Sequence, residues 1–306
     1  MQRVIITGAN GFVGKSMPTS LIRRGCQVYS LGRTDPKVDG VSFHQMDLLD
    51  SDADEFRRVA AIGADTMIHV AWCTEPGVYW TSIDNLRWMA ASLRLLDAFL
   101  AGGGKRVIIA GTCAEYDWNF HTLTERETPL APSTIYGQAK ASLHATVNAY
   151  AQKHSISFAW AHIFFPYGPG EKRGRLLSDL VCNLLDGLPM DVSDGKQIRD
   201  FMHVDDVADA IVELAASDVQ GPVNIASGEP RQLREIIEST AKEVGRRDLV
   251  RLGARPPLAN DPPCLTASVL RLRNEVGFRP RYTLEDGISA TVAWWRSNLT
   301  NEAIRR

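Results

Sequence analysis

Three glycines spaced three apart, Gly8, Gly11 and Gly14, follow directly on the apolar, β-rich run Arg3–Thr7, and this feature most narrows what the chain can fold into. A strand that ends in such a turn and passes into a helix aims unpaired backbone N–H groups and the positive end of a helix dipole at one spot. Gly8 permits the tight turn, Gly11 lets a ligand reach the backbone, and Gly14 lets helix and sheet pack closely. Phe12 and Val13 complete a cradle that suits the pyrophosphate of a dinucleotide. A glycine trio alone also serves a plain strand–helix turn, so the surrounding pattern decides.

That pattern alternates. Helix-compatible apolar spacing over residues 12–25, with Pro18 near its first turn, is followed by a strand at 27–31. Residues 51–61 read as a helix with Ser51 as its N-cap, 65–71 as a strand, and 83–100 as a long helix stopped by Gly102, Gly103 and Gly104. A strand at 105–110, a helix at 135–152 and a strand at 157–164 complete the series. Strands alternating with helices imply right-handed βαβ crossovers and an α/β, doubly wound parallel sheet of the Rossmann type. The alternation weakens after Phe165, where Pro166, Gly168, Pro169 and Gly170 cluster. Residues 1–165 with a returning segment at 196–228 are therefore expected to form the dinucleotide-binding domain. Residues 166–195 and 229–306 are expected to form a smaller substrate-binding domain, with a proline-rich connector at 255–263.

Composition removes other classes. With 34 basic and 36 acidic residues in 306 and a net charge of -2, the chain carries no electrostatic footprint for nucleic acid. No run approaches the ~18 apolar residues of a membrane span, and the first residues lack the apolar core of a signal peptide. Cys26, Cys73, Cys113, Cys182 and Cys264 are widely spaced, without a C-x-x-C pair or Cys/His cluster. No metal site and no disulfide framework is expected, and a cytoplasmic location follows.

The second strand speaks to the cofactor. An NAD site commonly ends this strand with a carboxylate for the ribose hydroxyls, whereas here Leu31 is followed by Gly32 and Arg33. A guanidinium offers paired donors to a 2′-phosphate, so NADP(H) is preferred and NAD possible; a solvated turn residue is the plainer reading of Arg33. Lys15 could add positive charge. Asp47, with Leu48, is a candidate for the adenine edge or a helix cap.

Tyr136 and Lys140 lie four apart at a helix start and share one face. A phenol with pKa ~10 is a poor base at neutral pH, but a neighbouring ammonium stabilises its phenolate. Such a tyrosine can exchange a carbonyl or hydroxyl proton while hydride moves to or from a nicotinamide. Thr112, at the carboxyl end of the fourth strand, can hydrogen-bond the reacting oxygen there.

With these residues in view, the chain resembles the extended short-chain dehydrogenases/reductases, in their nucleotide-sugar epimerase/dehydratase/reductase branch. The resemblance is carried by the glycine turn, His69-Val70-Ala71, Asn85, the Thr112/Tyr136/Lys140 set, Tyr167-Gly168-Pro169-Gly170, the stretch from Arg199 to Ala208, and that from Val223 to Gly228. It implies that Tyr136 is the acid/base, that Lys140 orients it, that Ala71 lines the cofactor site, and that Arg199 clamps a substrate diphosphate. Arg255 is a further candidate for that task, and an Arg199–Asp200 ion pair is the bland alternative. Two departures stand out. Phe165 replaces the asparagine expected against the diphosphate, and Cys113 and Ala114 replace the Asp-Glu pair with which dehydratases eliminate water. Glu115 is one residue too far and is expected to face away.

The expected function is NADP(H)-dependent reduction of a nucleotide-diphosphate-linked keto-sugar, a 4-keto-6-deoxyhexose. The alternatives are a 4-epimerase with tightly held NAD and a non-catalytic dinucleotide sensor. The resemblance also implies a homodimer through the helices at 83–100 and 136–152, although burial inside one subunit would explain their apolar faces equally well.

Overall fold

A computed structural model describes residues 2–256 and 261–299. Seven strands form the central sheet: β1 (Arg3–Thr7), β2 (Gln27–Gly32), β3 (Val41–Gln45), β4 (Thr66–His69), β5 (Arg106–Thr112), β6 (Ser157–Ile163) and β7 (Gly221–Ile225). Their order is β7-β6-β5-β4-β1-β2-β3, and every pairing is parallel. The chain runs outward from β1 in one direction and restarts at β4 in the other. The carboxyl ends of β1 and β4 therefore flank the crevice where α/β sheets bind ligands.

The helices are α1 (Met17–Arg23), α2 (Ala53–Ala61), α3 (Asp84–Ala101), α4 (Ile135–His154), α5 (Leu176–Leu185), α6 (Val204–Ala216), α7 (Leu233–Val244), α8 (Leu270–Asn274) and α9 (Leu284–Asn298). Successive strand residues point to opposite faces, and the sheet buries both. Ile6, Ile68, Ile108 and Ala161 pack against α1 and α6. Ile5, Met67, Ile109 and Trp160 pack against α2, α3 and α4. A separate core joins α5, α7 and α9 through Val181, Ile236, Val292 and the fully buried Trp295. Each buried valine, isoleucine or methionine among them contributes about 1.5–3 kcal/mol by leaving water.

Local chemistry moved two boundaries. The first helix covers only Met17–Arg23, because Pro18 has no N–H with which to bond back to Gly14. Residues 11–16 form turns instead, with Lys15 N–H on Gly11 O at 3.1 Å and Met17 N–H on Gly14 O at 3.2 Å. The cap of α2 is Asp52, not Ser51. Asp52 accepts the Asp54 and Glu55 amides at 2.9 Å each, and Glu55 accepts the Asp52 amide at 2.9 Å. A carboxylate suits the positive helix end better than a hydroxyl, and Ser51 Oγ bonds Asp47 O at 2.5 Å. Between α5 and α6 lie short strands, Met190–Val192 and Ile198–Arg199. Of the connector at 255–263, residues 257–260 lie outside the described residues.

Candidate active site

The glycine turn is built as its spacing demands. Gly8 sits at φ +78, and a Cβ there would stand 2.9 Å from Ala71 N. A Cβ on Gly14 would press into the Gly8 carbonyl, 2.8 Å from its carbon and 3.2 Å from Val70 Cγ2. Gly11 N–H closes the turn on Gly8 O at 2.9 Å. Among the described residues, the amides of Phe12 and Val13 have no acceptor, so this turn presents free donors to a ligand.

Beneath it, Thr7 Oγ1 accepts the Ala71 amide at 3.2 Å and stands 2.7 Å from His69 Nδ1. Ser92 Oγ donates to Trp88 O at 2.7 Å, so it accepts from His69 Nε2 at 2.8 Å. Nδ1 then accepts the Thr7 proton, and the ring is neutral. Burial, followed by the charge of Lys140, pushes the His69 pKa down to about 3. This buried chain locks β1 to β4 at the crevice.

Arg33 is exposed and has no hydrogen-bond or ion-pair partner among the described residues. Asn10 ties its loop to the glycine turn through Thr34 O at 2.6 Å and Thr34 Oγ1 at 3.1 Å. Lys15 does not join it. Its ammonium donates to Pro169 O and lies 5.7 Å from the Phe12 ring and 6.0 Å from that of Trp294. Asp47 caps no helix; one carboxylate oxygen accepts Leu49 N–H at 3.1 Å, next to buried Leu48.

Thr112 is the last residue of β5, and Tyr136 and Lys140 lie on the first turns of α4, capped by Thr134. All three are buried. Lys140 Nζ donates to Ala110 O at 2.7 Å and stands 3.8 Å over the Trp72 ring. Burial, followed by the neighbouring Tyr79, pushes the Tyr136 phenol up, while Thr112 acts the other way. Burial brings Lys140 down to about 7, opposed by Glu115. The residues after β4 roof the phenol. Tyr79 lies edge-on at 4.9 Å and Trp80 at 5.7 Å, and Trp80 O accepts the Tyr136 amide at 3.2 Å. Asn85 holds this roof, donating to Tyr79 O at 2.7 Å and accepting from Trp72 Nε1 at 2.9 Å. Trp72 thus walls the site as well as packing.

No carboxylate takes the dehydratase positions. Ala114 has nothing to offer, and burial pushes the Cys113 thiol up to about 12, far from proton exchange at neutral pH. The diphosphate candidates separate. Arg199 is buried beside Phe165, 5.6 Å from its ring. Its guanidinium donates to Asp261 Oδ1 at 2.5 Å, Pro262 O at 2.7 Å and Ile198 O at 2.8 Å. The ion pair with Asp200 does not form, because Asp200 accepts the Ser227 and Gly228 amides at 2.8 and 2.9 Å. Arg255 is exposed, and its amide meets Val192 O at 3.2 Å; no contact joins it to Arg199.

The residue that spacing arguments dismissed is Glu115. It lies in a 3-10 turn, Cys113–Glu115, and so swings under the strand end, fully buried. His162 and His144 meet it there, at 3.2 and 3.7 Å. Gly111 was the available signal. A Cβ on it would strike Trp160 Nε1 and stand 2.7 Å from Glu115 Oε1.

Fold and site together describe a dinucleotide-binding α/β protein with a Thr–Tyr–Lys constellation. Residues 4–226 match the model of the NAD dependent epimerase/dehydratase family, and the chain belongs to that family. Probable UDP-glucuronate 4-epimerase of Rhizobium meliloti is 25% identical, with 97% of each chain covered. UDP-glucuronic acid decarboxylase 1 of Danio rerio is 24% identical over 99% of this chain and 74% of its own. Among solved structures, MoeE5 in complex with UDP-glucuronic acid and NAD superposes with a TM-score of 0.82 at 27% identity, covering 97% of this chain and 99% of its own.

Proposed function

We propose that the chain inverts C4 of a nucleotide-diphosphate-linked sugar, with Tyr136 as the acid/base. The reading rests on one observation: Thr112 at the end of β5 and Tyr136 and Lys140 at the start of α4 lie buried at the carboxyl edge of the sheet, and neither Cys113 nor Ala114 offers an acid/base in the dehydratase positions. Inversion through a 4-keto sugar moves one hydroxyl proton and one hydride, so a single phenol suffices. Elimination of water needs carboxylates that Cys113 and Ala114 cannot replace.

Gly8 and Gly14 let the turn close against Ala71, Val70 and its own backbone where a Cβ would not fit, and the free amides of Phe12 and Val13 would hold a pyrophosphate. Asp47 and Leu48 would meet the adenine, with Ala71 beside the glycine turn. A nicotinamide dinucleotide, when bound, supplies the hydride exchange. Tyr136 takes the proton from the C4 hydroxyl and returns it, Thr112 orients that oxygen, and Lys140 supplies positive charge and holds ribose hydroxyls. Arg199, beside Phe165, would receive the diphosphate by exchanging Asp261 for phosphate; Arg255 has weaker support for this task. NAD in MoeE5 and the 4-epimerase relative support inversion over the reduction expected from the sequence.

One feature favours a second reading. The unpaired, exposed Arg33 suits a 2′-phosphate, and NADP(H) would fit net reduction of a 4-keto-6-deoxyhexose. The assay is direct: incubate purified protein with UDP-glucuronic acid, UDP-glucose and nucleotide-linked 4-keto-6-deoxy sugars, and follow sugar stereochemistry and cofactor absorbance. Inversion at C4 without net change in cofactor supports the epimerase. Stoichiometric NADPH oxidation replaces it with the reductase.

The separate core of α5, α7 and α9 supports a substrate-binding unit distinct from the sheet. A homodimer through α3 and α4 would cover Ile83, Leu86 and Ile135, which are 63%, 48% and 44% exposed. No described helix is long and apolar enough to cross a membrane, and five free cysteines fit a reducing cytoplasm.

A further inference from the structure

The floor of the site contains a buried hydrogen-bond network whose proton positions are largely fixed by its ends. Glu115 Oε1 accepts the Thr112 amide at 2.8 Å, and Trp160 Nε1 donates to both carboxylate oxygens at 3.1 Å. Oε2 faces His162 Nε2 at 3.2 Å. On the far side of that ring, His162 Nδ1 is 2.8 Å from the Tyr116 hydroxyl, which is 2.8 Å from Asn224 Oδ1. The Asn224 amide is oriented by its other end, which donates to Leu123 O at 2.9 Å and Ser268 O at 3.1 Å. Asn224 Oδ1 can therefore only accept, and Tyr116 spends its single proton on it. The Tyr116 oxygen must then accept from His162 Nδ1–H. One proton must then lie between Nε2 and Glu115 Oε2, and with Glu115 ionised it is Nε2 that carries it.

Glu115, His162, Tyr116 and Asn224 are all at most 1% exposed, and a lone charge here would be strongly unfavourable. Opposite charges in contact resolve it. Burial alone raises the Glu115 carboxyl, but the adjoining His162 and His144 imidazoles outweigh it and hold the pKa at about 2. The fold makes room for the pair at Gly111, the residue before Thr112.

We propose that Glu115 is a positioning residue, fixed by a buried carboxylate–imidazolium pair with His162, that sets where Thr112 meets the reacting oxygen. The connection is two hydrogen bonds within one turn. The Thr112 amide is bound to Glu115, and Thr112 Oγ1 accepts the Ala114 amide at 3.2 Å, so the turn and the hydroxyl move as one unit. This role rests on the reading of Thr112 and Tyr136 as the reacting pair; the protonation of His162 does not.

Glu115→Gln separates charge from shape. The amide can still accept from Thr112 N–H and Trp160, and it can donate to a neutral His162 Nε2. The test combines nitrogen-15 NMR of histidine-labelled protein, His162 being assigned by its loss in His162→Gln, with steady-state kinetics. In the wild-type protein at pH 7.5, both His162 ring nitrogens are expected to carry protons; in Glu115→Gln, only Nδ1. The kinetic expectation for Glu115→Gln is a roughly tenfold lower kcat, since charge-assisted hydrogen bonds are about twice as strong as neutral ones, with KM and dinucleotide affinity within about twofold. Glu115→Ala should lose more kcat than Glu115→Gln. A singly protonated His162 in the wild-type protein overturns the pair, as does a stoichiometric metal ion bridging Glu115, His144 and His162, whose donor atoms lie within 4.8 Å of one another. Unchanged kcat in both variants overturns the positioning role. A wild-type protein that turns over no nucleotide sugar overturns the reading of the site and the positioning role with it, while the ring-nitrogen spectrum still decides the pair.

Discussion

Gly14→Ala tests the dinucleotide cradle without touching a reacting group. The new Cβ would lie 2.8 Å from the Gly8 carbonyl carbon and 3.2 Å from Val70 Cγ2, and closer still to the Gly8 oxygen. The obstacle is backbone, which cannot swing aside as a flexible side chain would. It is also the carbonyl that closes the turn on Gly11 N–H. Overpacking of this kind costs roughly 1–3 kcal/mol. That strain must appear in one of two places. If the turn keeps its shape, the unliganded protein carries the strain and Tm falls by about 2–4 °C per kcal/mol. If the turn opens, the free protein relaxes and dinucleotide binding must restore the geometry, weakening Kd by roughly 5- to 150-fold. Differential scanning calorimetry and fluorescence titration with NAD and NADP read both quantities on one sample. A variant with Tm within a degree and Kd within twofold of the wild type would refute the cradle argument.

Tyr136→Phe should lower kcat by about 10²- to 10⁴-fold while dinucleotide affinity stays within twofold; more than a tenth of wild-type turnover would remove Tyr136 from the chemistry. Arg33→Ala should weaken NADP by roughly 10- to 150-fold, the range of hydrogen bonds to charged groups, and leave NAD unchanged; equal losses would assign Arg33 to the turn alone. Acid should destabilise the fold in a defined window. The unfolded chain protonates His69 below about pH 6.5, but the folded chain does so only near 3, so this stability is full above 6.5 and lost as pH falls toward 3. Glu115, held at about 2 against an ordinary 4.5, adds a loss from pH 4.5 toward 2. Each group contributes at most about 1.4 kcal/mol per pH unit. Urea unfolding at pH 7, 5.5 and 4.5 should show a shallower slope in His69→Asn; equal slopes would exclude His69.

The dinucleotide fold was legible because its signals are local. A strand ending in spaced glycines and the switch between periods of two and 3.6 are properties of short segments. Tyr136 and Lys140 were legible for the same reason, since one helix turn places them together whatever else the chain does. Boundaries were less so. Pro18 and Asp52 moved helix starts because one missing donor or one extra charge outweighs periodicity over a few residues.

What the sequence by itself determined is therefore the order of strands and helices, the glycine turn, and the Tyr–Lys face. Only the tertiary structure decided which groups meet across long separations. Sheet register sets Gly111 opposite His162, and a 3-10 turn swings Glu115 beneath both. Arg199 found Asp261 rather than its neighbour Asp200, and Lys15 turned to Pro169 instead of the cofactor edge. The physical reason is burial. A polar group removed from water must find a partner wherever the fold supplies one, and that address is written in strand order and packing, not in the residues beside it.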